Sequence, residues 1–171
     1  MKRLLIVALS LVAVFAFVGC SGNQASESNQ ASLQAAKLTP QEYLDEVKPI
    51  VLEMTAAHKN DLRQMLDIVS DGNSDLSFEL YQKIAKACDP VIDFEGAPEE
   101  AMLLHTYFMS AASSEQAAAF SLYMAADKVK SSPSEASKYV NDATDYINSF
   151  GSSIEQANDA LLDFKEKTGA E

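Results

Sequence analysis

Tryptophan is absent, histidine and cysteine occur only twice each, and glycine and proline number six and five. So few turn-forming residues leave too little material for the many chain reversals of an all-β domain. The shortage of His and Cys removes several common chemistries. There is no His-Glu-x-x-His zinc pattern, no Glu-x-x-His pair of the di-iron type, no Cys-x-x-Cys-His haem attachment, no Gly-x-Ser-x-Gly elbow and no Gly-rich phosphate loop. Basic residues are short as well, 13 Lys+Arg against 25 Asp+Glu, for a formal charge of −12. That balance excludes nucleic acid as a partner, because its binding rests on phosphate neutralisation. What is present suits one globular domain: 171 residues, 47% hydrophobic.

The first twenty residues are the most specific stretch. Lys2-Arg3 precede an uncharged run from Leu4 to Gly19, at about 16 residues too short to cross a hydrocarbon core of about 30 Å. The run ends Phe17-Val18-Gly19-Cys20 and passes at once into Ser21-Gly22-Asn23-Gln24. This resembles the lipobox of bacterial lipoproteins, with Phe17 standing where Leu is preferred. The resemblance implies a signal peptide over residues 1–19, lipidation of Cys20, and attachment to the extracytoplasmic face of the cell membrane through that lipid. A diacylglyceryl group brings two chains, the number that stable anchoring takes. With Cys20 acylated, Cys88 has no partner within the chain, so no disulfide is expected.

Residues 20–38 read as the lipidated Cys and a disordered tether, rich in Ser, Asn, Gln and Ala, in which Asn23-Gln24-Ala25-Ser26 recurs as Asn29-Gln30-Ala31-Ser32. Residues 39–171 read as all-α, an antiparallel four-helix bundle of uneven helix lengths with a long C-terminal hairpin. Thr39-Pro40-Gln41-Glu42 and Ser132-Pro133-Ser134-Glu135 both carry helix-start chemistry. The first helix should run to Asp71-Gly72 with a kink at Pro49, and the second from Asp75 to Cys88 with a stop at Asp89-Pro90. The third should run from Ala97-Pro98 to about Lys130, and the fourth should carry an apolar seam from Ala136 to Phe164 at alternating steps of four and three. A short connection around Ser131 makes the last two antiparallel and sets Gly151-Ser152-Ser153 level with Ala111-Ala112-Ser113. Small residues facing small residues predict the closest backbone approach there, which would explain why a glycine is tolerated at 151 inside a helix.

One constellation has the residue types of a cofactor site. Met54 and His58 share a face of helix one, and Met102, His105 and Met109 stand at i, i+3 and i+7 on helix three. Imidazole with thioether suits Cu(I) or haem iron. Plain packing, with no metal and no cofactor, explains the same residues, since Met fills core gaps and a lone His on an apolar stripe bonds to a neighbour. Cys88, on the apolar side of helix two, reads as a small buried hydrophobe. The whole resembles small uncharacterised helical lipoproteins of Gram-positive-type bacteria. The anchor, the tether and the lack of catalytic groups point to a non-catalytic envelope interaction or scaffold protein whose partner is another envelope protein or a cell-wall component. Binding of a small ligand, Cu(I) or haem through His58, His105 and the Met residues is the alternative.

Overall fold

A computed structural model describes residues 37–171; the leader, Cys20 and most of the tether lie outside the described residues. Four helical rods make up the described part. The first is composite: α1 (Pro40–Ala57), a π-helical turn (His58–Leu62), α2 (Arg63–Ile68) and a closing 3-10 turn (Val69–Asp71). The second is α3 (Ser74–Ile92), the third α4 (Met102–Lys128), entered through a 3-10 turn at Glu99–Ala101, and the fourth α5 (Pro133–Thr168). Among the described residues there is no strand, and no helix is long and apolar enough to cross a membrane.

The start of α1 follows from its cap. The Glu42 amide donates to the Thr39 hydroxyl at 3.3 Å and the Thr39 amide donates back to the Glu42 carboxylate at 2.9 Å, a complete capping box. The Leu38 amide donates to the Gly96 carbonyl at 3.0 Å, tying the entry of α1 to the loop before α4. Ser132 does not repeat this chemistry: its side chain makes no capping bond, and α5 is started by Pro133 and by the Ser132 carbonyl, which accepts from the Glu135 and Ala136 amides. Gly72 and Gly169 end the first and last rods in the left-handed conformation, at φ 63° and 71°.

The irregularity in the first rod falls at a different place from the proline. α1 stays helical through Pro49, and the ladder changes at His58–Leu62. Ala57 and Leu62 are both buried, yet five residues on an uninterrupted α-helix would place them about 140° apart. The wider turn absorbs the extra residue, and Met54, Ala57, Leu62 and Met65 all reach the core. Pro90 likewise does not stop α3. Its missing N–H costs one bond in the last turn, which the Asp93 amide closes by donating to Asp89 at 2.8 Å while Val91 is fully buried.

The α4–α5 hairpin is the framework. At about 1.5 Å per residue its 27 and 36 residues give lengths of about 40 and 54 Å, so α4 is shorter than its apolar pattern predicts. On α5 every seventh residue, Ala136, Ala143, Phe150, Ala157 and Phe164, is buried, with Val140, Ile147, Ile154 and Leu161 half-buried between them. The expected register holds: the Ser110 and Ser153 hydroxyls meet at 3.0 Å. Ala111, Ala112, Ala118, Ala119 and Ala125 line the fully buried side of α4, so small residues do let its neighbours close in.

Gly151 does not belong to that contact. It is exposed, and a Cβ there would meet nothing within 4 Å. Its only effect is backbone entropy, so Gly151→Ala is expected to stabilise the domain by about 0.5–1 kcal/mol, read as a higher urea midpoint at unchanged slope. A midpoint that falls would show that something does press on this position.

Candidate functional site

Glu115 sits in the middle of α4 and is wholly buried. A carboxylate there needs a partner. His58 Nδ1 donates to its Oε2 at 2.6 Å, while Oε1 has no hydrogen-bond partner. The π turn turns His58 toward α4, and α5 holds it from the other side: the Phe150 ring stacks on the imidazole with centroids 4.0 Å apart and planes 9° from parallel. The His58 side chain remains 28% exposed, so the pair joins solvent to the core. Cys88, fully buried on α3, has its thiol pushed up to about 12, first by burial and then by the charges of Glu115 and Asp89. It stays protonated and unreactive at neutral pH.

His105 lies elsewhere. Ten residues separate it from Glu115 along α4, about 15 Å, so the two histidines do not converge. His105 Nδ1 and the Tyr43 hydroxyl form a hydrogen bond at 3.3 Å, the tautomer setting which of them donates. Around this pair Phe94 and Phe164 complete a box, with ring centroids 5.7 and 6.0 Å from Tyr43. Burial pushes the His105 pKa down, the Phe94 backbone opposing part of the effect, and burial pushes the Tyr43 hydroxyl up.

A His whose folded pKa is depressed resists a proton that the unfolded chain accepts, so stability falls as pH drops from about 6.5. His105→Phe is therefore expected to flatten the fall between pH 7 and 5.5. A baseline loss of about 1–3 kcal/mol is expected from the Tyr43 hydroxyl left unpaired. Urea midpoints at several pH values check the slope, and parallel profiles for the two proteins would refute the assignment.

The methionine and histidine trios are not brought together. Met54 and Met65 are fully buried, but Met102 and Met109 are 52% and 37% exposed. Among the described residues no three His, Cys, Asp or Glu side chains are grouped to hold a metal ion. A groove of about 240 Å³ between α1 and α5 is floored by Leu44, Val47, Val51, Phe108 and Leu161, with Lys48, Lys165, Asp45 and Glu171 at its rim.

A further feature, not singled out from the sequence, is on the surface. Phe78 and Tyr81 of α3 and Phe120 and Tyr123 of α4, whose helical spacing suggests core, form one aromatic cluster at the surface, with Phe78 and Phe120 exposed and Tyr81 and Tyr123 half-buried against the core. Phe78 lies 5.3 Å from Tyr123, Tyr81 lies 5.8 Å from Phe120, and Phe78 and Phe120 are 41% and 47% exposed. Exposed rings gathered in one place mark binding surfaces more often than rings scattered singly. Spacing alone could not separate them from a core stripe, because the outcome depends on which helix faces the bundle covers. No family model matches the chain, and no curated protein or solved structure does either.

Proposed function

We propose that the chain is a lipid-anchored, non-catalytic interaction module on the extracytoplasmic face of a bacterial cell membrane. Acyl chains on Cys20 would hold it there, and the α3–α4 face would engage another component of the envelope. The observation that carries the interaction reading is the aromatic cluster of Phe78, Tyr81, Phe120 and Tyr123, left uncovered by the other helices. The groups with chemical potential are held in the fold: His58 by Glu115 and Phe150, His105 by burial and, at Nδ1, by Tyr43, and the Cys88 thiol by burial. The anchor rests on the basic start, the short apolar run and the Val18-Gly19-Cys20 ending. The 17 residues from Ser21 to Lys37 would give a reach of about 20–25 Å from the bilayer.

Two measurements on the full chain in living bacteria test the two halves. Incorporation of a radiolabelled fatty acid and recovery in the membrane fraction are expected for the natural sequence and lost in Cys20→Ser; label retained by that variant would refute the anchor. A photo-crosslinking residue at position 120 should give one discrete adduct, whereas the same residue at position 162, more open to solvent at 69% against 47%, should not. Equal labelling at both positions would refute the interaction face.

A further inference from the structure

The chemistry around the cluster narrows its partner. Along α3 one row reads Asp75, Phe78, Tyr81, Ala85, Asp89, and along α4 the facing row reads Gln116, Phe120, Tyr123, Asp127, each at steps of three or four that keep one face. The rows are level and antiparallel: Phe78 meets Tyr123, Tyr81 meets Phe120, and the Gln116 amide donates to Asp89 at 2.7 Å. Asp75 and Asp127 therefore mark one end of an uncharged aromatic strip and Asp89 the other, 14 residues or about 21 Å along α3. Neither row carries a lysine. Lys83 and Lys86 lie on the far side of α3, where they line a depression with Glu53 and Asp61, and Lys128 meets Asp127 at 2.8 Å, so at that end Asp75 is the acid left without an ion pair among the described residues.

Three occupants fit an exposed aromatic strip in general, and the geometry separates them. A second copy would bring the same acidic ends against each other in a chain of charge −12, which repels. A sugar ring stacks best on rings sharing a plane; here only Tyr81 and Tyr123 are near parallel, at 17°, and both are half-buried, while the more exposed Phe78 and Phe120 are inclined to them by 37° to 63°. A helix laid along the seam between two antiparallel helices meets tilted rings with its side-chain ridges, and lysines or arginines at its ends would reach Asp75 and Asp89 and the aromatic faces.

Resting on the interaction reading above, we infer that the α3–α4 face docks a basic amphipathic helix of a partner protein. The bound segment spans about four turns, with apolar residues toward the four rings and cationic residues near both ends. So small a contact belongs to the transient class, with micromolar affinity.

The test uses the acylated full chain in phosphatidylcholine nanodiscs, grown with fluorotyrosine so that each of its six tyrosines reports in a fluorine NMR spectrum. The probe is a synthetic helical peptide of about 18 residues with leucines along one stripe and lysines at both ends. Its control carries glutamates at the same ends. Titration of the lysine peptide is expected to shift Tyr81 and Tyr123 and leave the other four in place. Phe78→Ser with Phe120→Ser should weaken binding at least about tenfold, and Asp75→Asn with Asp89→Asn several-fold with a smaller salt dependence. Thermal melts of both double variants confirm that the fold is kept.

Equal binding of the glutamate peptide would overturn the inference, as would shifts of Tyr81 and Tyr123 that follow a peptidoglycan fragment but not the peptide, or that follow protein concentration alone. A position-120 crosslink in cells beside a silent peptide titration would defeat the basic-helix chemistry while leaving the interaction face. Loss of both would defeat both.

Discussion

Replacing His58 by alanine is expected to cost the fold about 3–5 kcal/mol, more than the side chain's own packing accounts for. The loss falls on its partner. Glu115 is wholly buried, one of its oxygens already lacks a hydrogen bond, and the imidazole supplies the other at 2.6 Å. Without His58 the carboxylate must remain charged and unpaired, take up a proton, or admit water into the seam beside Phe150. Removing Glu115 instead has the opposite balance. Glu115→Met leaves His58 partly exposed and still stacked on Phe150, so a change within about 1 kcal/mol of the natural protein is expected. The double variant His58→Ala, Glu115→Met should recover most of what His58→Ala loses, giving a coupling energy of at least about 2 kcal/mol in a double-mutant cycle read from urea midpoints. If His58→Ala alone costs less than about 1 kcal/mol, the pair is not what keeps that charge in the core.

How much of this was visible in the residues depends on whether the signal is local. The capping box at Thr39, the left-handed end at Gly72 and the seven-residue repeat of α5 are set by near neighbours in the chain, and each stands where the spacing puts it. The antiparallel register follows too, because a short connection leaves the hairpin little freedom, and the Ser110–Ser153 contact confirms it.

Glu115 was hidden in a polar run, Ser113 to Gln116, that reads as a solvated turn of helix. Its burial requires a partner from another helix, and that partner is turned toward it by a π turn that steps of three and four do not reveal. The aromatic strip was obscured for a related reason. Period shows which residues share a face and not whether another helix covers it, and the described helices leave the α3–α4 face bare. Gly151 shows the same limit from the other side: level with small residues, it still points outward.

Tyr43→Ala is the second large effect, about 3–5 kcal/mol, and its pattern matters as much as its size. Tyr43 is fully buried near the start of α1, and its ring touches Phe94 from the loop before α4, His105 from α4 and Phe164 from the end of α5. One side chain thus joins four segments that are far apart in sequence. Two hydrogen bonds reinforce this end, the Leu38 amide on the Gly96 carbonyl and the Glu171 amide on the Gln41 side chain at 2.9 Å. Truncation should therefore loosen this end before the rest. Hydrogen exchange is expected to speed up at Leu38, through the first turn of α1 and after Lys165, while the amides beside Glu115 keep their protection. Tyr43→Phe keeps the ring contacts and loses only the hydroxyl bond to His105, so it should cost about 0.5–1.5 kcal/mol with exchange little changed. Exchange rising evenly along α4 in Tyr43→Ala would mean that the box and the His58–Glu115 centre melt as one unit, and that the aromatic box is not a separate clasp.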